Sequence, residues 1–515
     1  MISPKMVSEP KKLIWAFLLI VAVNLIAYFP SFFHIPRSDQ VAYLADMADK
    51  EDWGALAIQS YDFTRTRRFC AGDELLFKPI AYFVLGTEKF LFGYEFIYWQ
   101  IFNFLLHCGF LFLLLKILTT IQPGIFAALL TAYFSVLPTG MEMVIWQHVN
   151  FYLYSLILLS VCLICILENK DSETIPLKTY GVMSLCLLVG CFSAEVMNVF
   201  SLVIFGYLFV TKPKSKENVA KHLLLIIPTI LFVAINFFLL ERHGFAAVSE
   251  NPLLRGASFL STVLGTMGHT LTAFLRWLSY RLFPGQFDVL IGGRTTLETI
   301  ETLNPVTLVS VFVIVVYAVI ALQANQLTRS KKKKRFNVLL FALMLAFCLM
   351  LAFTRFNVRG LSYLKDSLYF VYVFWGFMIL FIYATIDFEK LARLRYVYLM
   401  KKIVILALTV LTIFNGGKVF AITLKEARRS LSTRVLLGSV QQLVREHKDE
   451  KDFSFAVPPD FTGNYPLGFL VKKGDAPDKK YSLVEALYWK YFSEENPRYV
   501  ITASSEGPIF IPAQQ

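Results

Sequence analysis

The sequence predicts an all-α polytopic membrane protein of about eleven transmembrane helices, with amphipathic helices in its outer loops and a small C-terminal α+β domain. Three observations predict it. Of 515 residues, 56% are hydrophobic and 16% aromatic, at a mean hydropathy of +0.58. Charged residues make up 17%, against roughly a quarter in soluble domains. The apolar residues are gathered in blocks of about twenty, each long enough for a hydrocarbon core of roughly 30 Å.

The elements follow in order. Leu13–Phe33 is the first span, preceded by Lys5, Lys11 and Lys12, which hold the N-terminal end on the cytoplasmic side. It is too long, and too poor in small residues at a cleavage site, for a removed signal peptide, and reads as a signal anchor. His34–Phe92 is an outer loop. Tyr94–Leu118 returns inward, Pro123–Pro138 goes out, Thr139–Gln147 is a short outer loop and His148–Leu167 returns inward. Tyr180–Val210 is interrupted by Ser193-Ala194-Glu195 and reads as two short helices meeting near the outer surface. His222–Leu240 leads to a second long outer loop, 241–304. Pro305–Asn325, Val338–Thr354, Ser367–Ile386 and Ile403–Leu424 complete the set. The cytoplasmic segments Lys212–Lys221, Lys331–Arg335 and Lys390–Lys402 are basic, as the positive-inside rule requires.

Residues 1–424 are therefore expected to form a multi-pass domain in the cytoplasmic (inner) membrane. Residues 425–515 follow as a small extracytoplasmic domain. Within it, strands are expected at Phe453–Pro458, Gly468–Lys472, Tyr499–Thr502 and Ile509–Pro512, and a helix at Ser482–Phe492. The formal charge of +13 sits largely in the short basic loops, so it speaks for membrane orientation and against nucleic acid. Six of the seven cysteines fall in apolar segments, Cys70 alone lies in a polar loop, and no Cys/His spacing marks a zinc site.

Charged residues at the membrane boundary are the candidates for chemistry. Asp39, in Arg37-Ser38-Asp39-Gln40, is either a solvated loop residue or a general base for an acceptor hydroxyl. Asp73 and Glu74 precede Phe77-Lys78-Pro79, which opens an amphipathic stretch suited to the interface. Glu142 and Glu195 are further outer carboxylates. Glu195 interrupts an apolar stretch, where a charge costs roughly 2.5–3.5 kcal/mol at a helix centre. Arg276 and Arg281 flank Trp277 and Tyr280, and Arg355 and Arg359 lie near Tyr363. Such guanidinium groups suit phosphate oxygens or lipid head groups alike. His107 reads as a helix–helix contact. There is no GxSxG, Walker loop, HExxH or DxD, so a substrate must come from the lipid phase or from outside.

In order, these features are a first span, an acidic outer loop, Lys78-Pro79 before Gly86, and Asn103-Phe104-Leu105-Leu106-His107. Pro138-x-x-x-Glu142-x-x-x-Trp146, Ser193-Ala194-Glu195 and the Arg359–Tyr372 stretch follow. This order resembles the GT-C superfamily of polytopic glycosyltransferases, in particular its protein O-mannosyltransferase-like and aminoarabinose-transferase-like branches. Lys78 stands where that family usually has Arg, and Ala194 where it has Lys. The resemblance implies inverting transfer of a sugar from a polyprenyl-phosphate sugar to an extracytoplasmic acceptor. That acceptor would be a cell-envelope glycan, such as lipopolysaccharide or O-antigen, or a protein. It also implies Asp39 as base, with Lys78, Arg276, Arg281, Arg355 and Arg359 holding the donor phosphate. No cofactor is required, and a divalent metal between Asp39 and Glu142 or Glu195 is compatible with it. Two other readings stand beside it: a flippase or transporter of a lipid-linked sugar, which expects internal pseudo-repeats, and a polysaccharide polymerase or ligase, which expects decisive basic residues in a late outer loop.

Overall fold

Inside a bilayer, a long apolar run can satisfy its own N–H and C=O groups as an α-helix, and helices dominate this structure. The computed structural model describes residues 10–36, 44, 52–55, 79–93, 95–213, 215–242, 331–351, 368–385, 397–456, 472–473, 476–480, 488–491, 493, 496–504 and 507–513. Among these residues, five helices are long and apolar enough to cross a membrane: Lys11–Phe33, Phe96–Ile121, Phe151–Glu168, Lys216–Ile235 and Lys401–His447. Ile125–Ser135 and Pro138–Ile145 make a sixth if the bent pair is counted as one span. Four shorter apolar helices, Leu177–Cys191, Val196–Thr211, Arg335–Phe347 and Tyr372–Thr385, coincide with other expected spans. Pro305–Asn325 lies outside the described residues.

In chain order the helices are α1 Pro10–Tyr28, α2 Pro79–Phe92, α3 Phe96–Ile121, α4 Ile125–Ser135, α5 Met141–Ile145, α6 Phe151–Glu168 and α7 Leu177–Cys191. They continue as α8 Val196–Thr211, α9 Lys216–Leu223, α10 Ile227–Arg242, α11 Lys331–Leu351, α12 Leu368–Thr385 and α13 Val397–His447. Packing divides the chain into two compact units. The first comprises Met1–Ala27, Leu106–Met143 and Phe151–Val419; the second comprises Tyr28–Leu105, Val144–Asn150 and Phe420–Gln515.

In the first unit α7 packs on α6, α8 and α10, and α11 packs on α8 and α12. Aromatic rings fill the space between helices, with Phe200 edge-on to Phe377 at 5.2 Å. The expected break after α7 is present, and side chains satisfy the carbonyls it frees. Ser193 Oγ donates to Val189 O at 2.6 Å, and Asn198 Nδ2 donates to Glu195 O at 3.3 Å and Cys191 O at 3.4 Å.

Two elements differ from expectation. Thr139–Gln147, read as a short outer loop, is instead a 3-10 turn (Pro138–Gly140) followed by α5, and most of it is buried. Its residues Met141, Met143, Val144, Ile145 and Trp146 are apolar, so the segment folds into protein rather than into water. α4 has 11 residues, a length of about 16 Å that falls well short of the hydrocarbon core. It meets Pro138–Ile145 at a 58° bend. The second difference is α13, which does not end near Leu424 but runs for 51 residues to His447. Beyond the apolar part its buried residues are Ser430, Thr433, Leu436, Leu437, Val440 and Val444. That spacing of three and four marks an amphipathic helix, and no proline interrupts it.

In the second unit Leu436, Leu437, Val440 and Val444 of that stripe pack with Ile35, Leu85, Phe96, Trp99, Phe453, Phe455, Tyr488 and Ile501 in one core. The strands are β1 Phe455–Ala456, β2 Lys472–Lys473, β3 Ala476–Lys480, β4 Tyr499–Ser504 and β5 Gly507–Pro512. They form one sheet of order β1-β4-β5, with β1 parallel and β5 antiparallel to β4, and a β2-β3 pair. Where α13 meets the sheet, His447 Nδ1 lies 2.5 Å from Glu450 Oε1 and Tyr499 Oη donates to Glu450 Oε2 at 3.1 Å. Hydrogen bonding by His447 leads the effects that hold the Glu450 carboxyl below the ordinary carboxylate range. Its contribution to stability is therefore present above the unfolded value, roughly 4.3, and is lost as pH falls through the folded value. Thermal unfolding of the wild type is expected to drop on acidification below that value, with a shallower drop in Glu450→Gln.

Candidate active site

Helix α3 carries Gln100, Asn103 and His107, polar residues at i, i+3 and i+7 on one face of a largely apolar helix. Each meets a carbonyl at the end of a short helix, where no intrahelical donor remains. In the second unit, Gln100 Nε2 donates to Ile145 O at 3.0 Å and Asn103 Nδ2 to Val144 O at 3.3 Å. In the first unit, His107 Nε2 lies 3.2 Å from Ser135 O and 3.3 Å from Asn24 Oδ1. Its Nδ1 lies 3.4 Å from Tyr372 Oη, and Asn24 Nδ2 donates to Ser135 Oγ at 2.7 Å. Both neighbours of Nε2 are acceptors, which suits the tautomer protonated there, with Nδ1 accepting from Tyr372. His107 is thus the helix–helix contact the sequence predicts: it ties α1, α4 and α12 to α3.

This scaffold carries the bent segment with Glu142. Gly140 lies against the Tyr372 ring so closely that a Cβ would stand 2.4 Å from Cε2, and Tyr372 stacks on Phe134 at 4.3 Å. Glu142 follows two residues later and is 8% exposed. Glu195, 7% exposed, sits at the N-cap of α8. Tyr152 Oη approaches Glu195 Oε1 at 3.5 Å, and the Tyr152 ring meets Phe370 edge-on at 5.7 Å. Phe370 and Tyr372 are both near the start of α12. The two rings are two residues apart on α12 and so face different sides of it, one toward Gly140 and the other toward Tyr152.

Glu88, in α2, is a buried acid that sequence reasoning missed. It is 2% exposed, and Asn150 Nδ2 donates to its Oε1 at 2.6 Å. The available signal was a carboxylate in a helix whose only other charge is Lys89. Burial raises the Glu88 carboxyl well above the ordinary carboxylate range, against the opposing pull of the Asn150 hydrogen bond. The sign is opposite to that of Glu450. Stability from Glu88 is complete below roughly 4.3 and is lost as pH rises through the folded value. Glu88→Gln is expected to keep the fold and flatten the decline of melting temperature with rising pH. Glu88→Ala is expected to cost about 2 kcal/mol through a cavity and an unpaired Asn150.

Of the residues expected to form the site, Glu142 and Glu195 are placed as above. Asp39, Asp73, Glu74, Lys78, Arg276, Arg281, Arg355 and Arg359 lie outside the described residues. Among the described residues, no group of three or more His, Cys, Asp or Glu side chains is placed to hold a metal ion.

No protein-family model matches the sequence, and no curated protein matches it. Among solved structures, the chain is similar to the crystal structure of the Archaeoglobus fulgidus oligosaccharyltransferase tethered with an acceptor peptide containing the NVT sequon via a disulfide bond. The identity is 9%, the TM-score 0.45, and the match covers 95% of this chain and 69% of that one. At that level of likeness no residue role transfers between the two.

Proposed function

We propose that the chain is a membrane glycosyltransferase that moves a sugar, with inversion, from a polyprenyl-phosphate sugar to an extracytoplasmic acceptor. The observation that carries this reading is the pair of buried carboxylates, Glu142 and Glu195. Glu142 stands in the short bent helix α5 between α4 and α6, and Glu195 caps α8 after the break that follows α7. Charge in such positions is costly and marks a functional boundary. A lipid-phosphate donor diffuses within the bilayer and presents its anomeric carbon at the surface, which is where fixed carboxylates and cations would be needed.

In this mechanism Asp39 takes the proton of the incoming hydroxyl as its oxygen attacks the anomeric carbon. The bond to the donor phosphate breaks, and Lys78, Arg276, Arg281, Arg355 and Arg359 stabilise the charge released onto that phosphate. Asp73, Glu74, Glu142 and Glu195 are assigned as further carboxylates of the site. The donor chemistry places the enzyme in the cytoplasmic membrane with its site facing outward, acting on an envelope glycan or a protein. Treatment with EDTA separates a form that holds a divalent ion between Asp39 and Glu142 or Glu195 from a metal-free one.

The decisive assay presents membranes with a panel of polyprenyl-phosphate sugars and follows release of the lipid phosphate. Turnover of at least one donor, reduced in Glu142→Gln and Asp39→Asn, is the expected result. Movement of lipid-linked glycan across the bilayer without turnover of any donor would overturn the reading in favour of a flippase.

A further inference from the structure

A concavity of about 140 Å³ lies wholly within the second unit. One wall is a single face of α13, where Arg434, Leu437, Gly438 and Gln441 stand at i, i+3, i+4 and i+7. The other wall is the exit from the first span, with Phe32 and His34, and the approach to α3, with Glu95 and Phe96. Tyr488 also lines it. Arg434, Glu95 and Gly438 are exposed, so the concavity opens to solvent.

Among the described residues, three polar side chains here make no side-chain hydrogen bond or ion pair. Among the described residues, the Arg434 guanidinium meets the Phe33 ring at 5.5 Å and has no carboxylate within ion-pair distance. The side chains of Glu95 and Gln441 make no hydrogen bond or ion pair with described residues. Gly438 adds a fourth observation. Nothing lies within 4 Å of where its Cβ would stand, and its backbone is not left-handed, so neither packing nor conformation calls for glycine. A helix-weakening residue without a steric reason leaves the wall open at that point.

The chemistry selects among ligands. A phosphate dianion would be repelled by Glu95, and an acyl chain would leave three polar groups unpaired. A neutral ring bearing hydroxyls suits all three. Its hydroxyls donate to the carboxylate and accept from the guanidinium and amide, while its C–H face lies on Phe32, Phe96 or Tyr488. The volume is enough for one ring-sized group.

We propose that this pocket binds a single sugar ring of a hydroxyl-bearing acceptor glycan, through Arg434, Glu95 and Gln441. Binding of a sugar stands on the pocket itself. The acceptor role rests on the transferase reading and on sequence proximity, because His34 precedes Asp39 by five residues.

The test is saturation-transfer NMR on the full-length protein in nanodiscs, using the methyl glycosides of N-acetylglucosamine, galactose and rhamnose. At least one is expected to bind, at least fivefold more weakly in Arg434→Gln and Gly438→Leu. The leucine points into open space, so the melting temperature of that variant should match the wild type. Failure of every glycoside to bind, equal binding by both variants, or displacement by millimolar inorganic phosphate would each overturn the site. The measurement needs no donor lipid. A protein that binds a glycoside but turns over no polyprenyl-phosphate sugar overturns the acceptor role. A protein that transfers sugar but binds no glycoside overturns the pocket alone.

Discussion

The Asp39→Asn variant is expected to reach the membrane and melt as the wild type does, and to transfer sugar two to four orders of magnitude more slowly. That range is the usual contribution of a positioned general base, roughly 10²–10⁴, and corresponds to about 3–5 kcal/mol in the barrier. Asparagine keeps the size and polarity of the side chain and removes only its capacity to take a proton. Phosphate departs without a protonated acid, so no second group masks the loss. The effect should therefore fall on kcat, with little change in KM for the donor, because phosphate binding is assigned to other residues. Full activity in Asp39→Asn would remove it as the base.

Gly140→Ala is expected to give the largest loss of stability of any single methyl added at a described glycine. The new Cβ would stand 2.4 Å from Tyr372 Cε2 and 2.5 Å from Cδ2. The ring cannot retreat freely, because Phe134 stacks on it and its hydroxyl meets His107 Nδ1. Overpacking of this kind costs about 1–3 kcal/mol or more, and relief by moving the ring breaks the His107 network as well. A lower yield of monodisperse protein and a melting temperature several degrees lower, read by fluorescence size-exclusion, are the expected results. Gly181→Ala, at a helical position with nothing within 4 Å of its Cβ, is the control and should be neutral or slightly stabilising. Tyr372→Leu should recover part of the Gly140→Ala loss, and a double-mutant cycle measures how much. An unchanged melting temperature in Gly140→Ala would disprove the close packing of the bent segment on α12.

Hydrophobic run length made the helices legible, and charge interruption made the break at Glu195 legible, because both are local properties. The role of His107 was legible too: a lone polar group within an apolar helix must find a partner. The strands expected at Tyr499–Thr502 and Ile509–Pro512 from alternation and β-propensity fall within the observed Tyr499–Ser504 and Gly507–Pro512. Burial of 139–147 was not legible, since a short segment between two spans reads the same whether it lies in water or folds against helices. Glu88 escaped for a similar reason, because its partner Asn150 is 62 residues away. The continuation of α13 past Leu424 was hidden by a change of kind. Its apolar residues go from all faces to one, and a rule based on hydrophobic length stops at that point. The concavity beside Gly438 depends on three chain segments meeting, which no local pattern records.

The stripe on α3 also determines which changes this part of the chain tolerates. Gln100, Asn103 and His107 reach their three carbonyls only because the residues between them keep the helical phase. Exchanging one apolar residue for another on the exposed side, at Ile101 or Leu105, leaves that phase intact. Deleting one residue between Asn103 and His107 turns the histidine about 100° around the axis and detaches it from Asn24, Ser135 and Tyr372 together. Variation along this stretch should therefore be free in side-chain identity on one face and closed to any change of length.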